Sequence, residues 1–105
     1  MTTTTSHRIE GSGQQVDYTE HLTLDNGGRK GRHTLRVLLH IDSYVAQAWG
    51  RVERHDGVRW HEVASLKGCS LATDLKIGYT KGTGAKTPDF ATDRNTLVKL
   101  AEEVL

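Results

Sequence analysis

The chain has 105 residues, 35% of them apolar and 26% charged, with 14 Lys plus Arg against 13 Asp plus Glu. That length suits one domain of ~100–150 residues around one core and excludes separate cofactor and substrate lobes. The single Cys69 excludes an internal disulfide framework and a zinc site built on cysteines. No apolar run approaches the ~18–20 residues of a membrane span, so no membrane partner is expected. Met1 is not followed by a basic and then apolar leader, which makes the cytoplasm the expected location.

The net charge of +1 is unevenly placed. Residues 1–25 hold one Arg and four acids, residues 26–67 hold eight bases and four acids, and residues 68–105 hold five of each. The positive excess therefore lies in the middle of the chain. A dedicated nucleic-acid binder is usually more basic overall.

Residues 1–14, a threonine run followed by Gly11-Ser12-Gly13-Gln14, have little to bury and read as a flexible tail before a single domain over 15–105. From Val16 to Leu24 the period becomes two: Val16, Tyr18, Leu22 and Leu24 share one parity, and Asp17, Thr19, His21 and Thr23 the other. That alternation predicts a half-buried strand. Asp25-Asn26-Gly27-Gly28 supplies turn chemistry, and the loop after it carries Arg29, Lys30 and Arg32.

A second strand is predicted from His33 to Ile41, a third from Tyr44 to Arg54 and a fourth from Val58 to Leu66. A tight turn at Asp42-Ser43 would set Leu39 against Ala46, Val37 against Ala48 and Leu35 against Gly50. Large residues then meet small ones, which suits close packing of a cover. One long bent strand from His33 to Arg54 is the alternative. Between the last two strands, a three-residue loop of His55-Asp56-Gly57 with Gly57 left-handed sorts the side chains well. It pairs Val52 with Trp60 and Ala48 with Ala64 on the apolar side, and Glu53 with Arg59 on the other. Beyond Gly68, Leu71, Leu75 and Ile77 fit either a short helix and a strand or a strand alone.

A final helix is predicted to start at Pro88, capped by Thr87, or later, capped by Thr92 or Asp93. Leu97, Leu100, Ala101 and Val104 form its apolar stripe. The expected fold class is thus α+β: an antiparallel β-meander of four to five strands, covered on one face by a C-terminal helix. Glu20 and Glu62 fall on apolar parities and Arg94 near the helix stripe. A lone buried carboxylate is costly, so Arg94 is expected to bond one of the two glutamates.

Chemistry-bearing motifs are sparse. Gly78 to Thr87 is rich in Gly and Lys, but Ala85 separates Gly84 from Lys86, which breaks the phosphate-loop pattern. The six histidines lack metal-ligand spacing, and Cys69 beside Gly68 reads as a small packed residue. No catalytic residue, metal or cofactor is expected. What remains is the second face of the sheet, with Arg36, Trp49, Arg51, Arg59 and His61, and the basic loop of Arg29, Lys30 and Arg32. Trp and Arg dominate protein contact sites, and interleaved aromatics and bases also suit nucleic acid. The expected function is a non-enzymatic binding module acting through protein–protein contact, either with a different protein or with a second copy as a homodimer. Nucleic-acid binding through the same face is the alternative.

Overall fold

The computed structural model describes residues 2–12, 15–25, 31–42, 45, 47–67, 71 and 90–105. They form β1 (Thr2–Ser12), β2 (Gln15–Asp25), β3 (Arg32–Asp42), β4 (Gln47–His55), β5 (Trp60–Lys67) and α1 (Ala91–Val104). The strands lie side by side in chain order, each antiparallel to the next, and α1 packs on one face. This is the expected α+β meander with a C-terminal helix. Arg29, Lys30, Cys69, Leu75, Ile77 and the Gly- and Lys-rich stretch 78–87 lie outside the described residues.

The period of two in β2 and β3 determines which face is buried. Val16, Leu22, Leu24, Leu35, Val37, Leu39 and Ile41 point to the helix side and are buried with Val52 of β4. Gly50 pairs with Leu39 and makes room for the helix. A Cβ there would lie 2.4 Å from Leu39 Cδ2 and 3.0 Å from Leu97 Cδ1. None of the expected pairs of Leu39, Val37 and Leu35 with Ala46, Ala48 and Gly50 forms; the large-against-small pairs are instead Leu39–Gly50 and Ile41–Ala48, while Val37 meets Val52 and Leu35 meets Arg54.

α1 begins after Phe90 without a side-chain cap, at neither expected start. Its buried face is Asp93, Leu97, Val98 and Ala101, while Val104 is exposed. The stripe is rotated from the expected one because the first turn is anchored by two contacts. Phe90 packs its ring 5.2 Å from that of Tyr18, and Arg94 reaches Glu20.

Three local expectations are corrected. Thr2–Ser12, read as a loose tail, is an eleven-residue edge strand paired along β2. Its apolar content is low, but β2 offers it a full row of backbone partners, and threonine suits a pleated surface. Asp42 pairs with Gln47, so β3 and β4 are two strands joined by four residues rather than two. The shift is even and leaves every side chain on its expected face. The third correction is the β4–β5 register. His55 pairs with Trp60, Arg54 with His61 and Glu53 with Glu62; a bulge follows, after which Val52 pairs with Ala64 and Gly50 with Leu66.

Val63 is the extra residue of that bulge. It sends Ala64 and Leu66 to the helix side but Trp60 and Glu62 to the opposite side, contrary to the predicted Val52–Trp60 and Glu53–Arg59 pairs. The loop is four residues, 56–59, because Asp56 organises it. Its Oδ1 accepts the backbone N–H groups of Val58 at 2.7 Å and Arg59 at 2.8 Å, while Asp56 N–H donates to Arg59 O at 3.0 Å. The N–H of Arg59, the His61 ring and the N–H of Val58 hold the Asp56 carboxyl well below the usual carboxylate range. Gly57 has φ +103°, the left-handed conformation expected of it.

Candidate functional site

The face of the sheet opposite α1 is read most easily as rows of directly paired residues. One row runs Glu10, Asp17, His40, Trp49, Lys67, and the next Arg8, Thr19, Leu38, Arg51, Ser65. A third runs Ser6, His21, Arg36, Glu53, Glu62, and a fourth crosses Thr23, Thr34, His55 and Trp60. No described element packs over their centre.

Glu53 is the hub of this face. Arg36 Nε donates to its Oε1 at 2.6 Å, and Arg51 Nε lies 3.4 Å from its Oε2. Each arginine, held from below, spreads over a tryptophan. The guanidinium carbon of Arg36 is 4.3 Å from the Trp60 ring centroid, and that of Arg51 is 4.8 Å from the Trp49 ring. Such contacts stabilise by ~0.5–1 kcal/mol at open sites. His40 stacks on Trp49 with centroids 5.5 Å apart and is paired through Nδ1 with Asp17. His55 meets Trp60 edge-on at 4.9 Å. Both indoles are therefore half-buried and fixed, each with part of its surface facing outward. A shallow hollow of about 510 Å³ opens beside Trp49, walled by Arg51, Glu62, Ser65 and Lys67.

Of the five residues predicted for this face, Arg36, Trp49 and Arg51 lie on it together. Arg59 is in the exposed loop after Asp56. His61 is carried to the other side by the Val63 bulge, where its ring pairs with Asp56. Arg36 covers Trp60, and Arg51 covers Trp49. Of the basic loop, Arg32 stands at the start of β3, 3.5 Å from Asp25. Sequence reasoning missed Trp60 and the central role of Glu53. Their signal was the Arg36, Arg51 and Glu53 parity match, which places one acid between two bases once the strands are aligned.

The strand pairing sets Arg8, Arg32, Arg36, Arg51 and Lys67 on this face with Glu10, Asp17, Asp25, Asp42, Glu53 and Glu62. The basic excess of the middle segment is thus answered by acids drawn from neighbouring strands. Among the described residues, no group of three or more His, Cys, Asp or Glu is arranged to hold a metal ion.

The helix side carries a second polar cluster, as predicted for Arg94. Its Nε donates to Glu20 Oε1 at 2.9 Å and its Nη2 to Oε2 at 2.8 Å. Tyr18 Oη donates to Oε1 at 2.6 Å and Thr4 Oγ1 to Oε2 at 2.7 Å. Burial pushes the Glu20 carboxyl up, but the hydrogen bonds from Arg94, Tyr18 and Thr4 outweigh it and hold the group below its ordinary value. Burial and donation to Glu20 push the Tyr18 phenol up. Both carboxylate oxygens are occupied twice, so this cluster ties β1, β2 and α1 together and leaves no free acceptor for chemistry. Glu62, the other misfit, points away from the core because of the bulge.

No described helix is long and apolar enough to cross a membrane. Comparison with known proteins finds no matching family model, no matching curated protein and no matching solved structure.

Proposed function

We propose that this chain is a small non-enzymatic binding module that engages a protein partner, in a cytoplasmic setting, through the sheet face opposite α1. The observation that carries this reading is the pair Trp49 and Trp60, each half-buried on that face under an arginine. Aromatic rings and guanidinium groups already held in place lose little freedom on binding, which is what contact hot spots require. The hollow beside Trp49 offers room for a partner's side chain. Charge favours a protein over a nucleic acid. Phosphate binding draws on bases free to replace counterions, whereas Arg36 and Arg51 are engaged with Glu53.

The test is affinity capture with the purified chain as bait, beside Trp49→Ala and Trp60→Ala baits that keep wild-type circular dichroism. A single-stranded oligonucleotide is titrated in parallel at several salt concentrations. A protein retained by the wild type and lost from both variants supports the reading. Equal recovery by all three baits overturns it, as does oligonucleotide binding that falls steeply with salt.

A further inference from the structure

β1 is an edge of the sheet. Among the described residues, β2 pairs with one side of it and no strand pairs with the other. An open edge of eleven residues is a template for another strand. Ile9, 44% exposed, projects from it on the helix side, next to a cleft of about 470 Å³ that it lines with His7, Tyr18, Phe90 and Arg94. We propose that two copies of this chain pair β1 with β1, antiparallel about a two-fold axis through Ile9, joining two five-stranded sheets into one.

The symmetry limits the register to a few choices. Directly opposed residues of an antiparallel pair point to the same face. A two-fold axis normal to the sheet must therefore pass through a residue and not between two. An axis at Arg8 or Glu10 sets like charges against each other. An axis at His7 sets Arg8 against Ser6 and leaves the charges unmatched. The axis at Ile9 alone sets Arg8 of each copy against Glu10 of the other, and it does so twice. It also brings the two Ile9 side chains together out of water, and it sets each His7 opposite Gly11, which has no side chain to crowd the ring. In the single chain Arg8 and Glu10 pair with each other, Nε to Oε1 at 3.2 Å, and both are well exposed. Dimerisation exchanges the one internal pair of each copy for two pairs between copies and strands no charge. The β1 irregularity between Thr4 and Ser6 ends the regular edge, so the pairing is confined to the segment around Ile9.

Arg8 and Glu10 lie at the β1 margin of the tryptophan face, but Trp49 stands on β4, three strands away, so the two contacts can be tested apart. Sedimentation and native mass measurement of the full chain are made on the wild type, Arg8→Glu and Glu10→Arg. The wild type is expected to dimerise, and each reversal to weaken the dimer roughly ten- to thirty-fold, because one change opposes like charges at both cross-copy pairs. Mixing the two variants is expected to restore dimerisation as a heterodimer, since both pairs then match again. An in-strand pair alone has no such effect. The proposal is overturned by a wild type that stays monomeric at every concentration, by a homodimer indifferent to both reversals, or by a mixture that forms no heterodimer. A dimer lost only with Trp49→Ala also overturns it, and assigns self-association to the other face.

Discussion

Glu20 on β2 and Glu53 on β4 lie on opposite faces of the same sheet, and both hold arginine. Glu20 is 2% exposed and takes four hydrogen bonds, two of them from Arg94, seventy-four residues away in sequence. The Glu53 side chain is 12% exposed and lies between Arg36 and Arg51, whose outer surfaces remain open. Similar chemistry serves two ends. On the helix side the carboxylate is enclosed, and its partners close the fold. On the other side it pairs with two arginines whose guanidinium carbons lie over indole rings at the surface. The difference comes from what lies above each glutamate, a helix in one case and no described element in the other.

The sharpest way to break the closed side is Arg94→Ala, which leaves Glu20 buried without its charge partner. We expect a loss of about 3–5 kcal/mol in chemical denaturation, because an uncompensated buried charge remains. Replacing both residues by leucine should cost less than this single change. The pH dependence carries a definite sign. The folded Glu20 carboxyl is held below its ordinary value, so its stabilisation is present above ~4.3 and disappears as pH falls through the folded value. The gap between wild type and Arg94→Ala should therefore narrow in acid. A constant gap would mean that Arg94 acts only by packing.

The next effect belongs to the same side. Gly50→Val should lower stability by roughly 1–3 kcal/mol by pressing on Leu39 and Leu97, seen as an earlier denaturation midpoint. In the β4–β5 loop, a Cβ at Gly57 meets no atom within 4 Å, so the penalty of Gly57→Val comes from its φ of +103°. About 1–2 kcal/mol is expected, read from thermal unfolding. The smallest stability change should come from Trp60→Ala, about 1 kcal/mol or less, together with loss of partner contact. A large loss of stability there would make Trp60 a core residue and erase the contrast between the faces.

Much of the fold was legible because β2 and β3 alternate without interruption, and because Glu20 and Arg94 were conspicuous charges on apolar stripes. The five-strand count hid in β1, whose residues bury little and whose strand state depends on β2. The β4–β5 register was not legible for a different reason. Side-chain sorting assumes an unbroken period of two, and a bulge is invisible to it. Asp56 carried the missing signal, since an Asp at the head of Asp-Gly-Val-Arg can accept two backbone N–H groups and fix a four-residue loop. The candidate face was half legible: Arg36, Trp49 and Arg51 sort correctly by parity, while Trp60 was assigned to the core by the wrong register.

Val63 gives β5 something like a change of phase. Upstream of it, Trp60 and Glu62 face outward; downstream, Ala64 and Leu66 face the helix. Forcing Val63 into a regular ladder would drive either the indole and its neighbouring carboxylate under α1 or the leucine out to water, whereas deleting it would leave each of them on the side it now occupies. Trp60, Glu62, Ala64 and Leu66 share one parity in the sequence, and the extra residue alone divides them between the two faces.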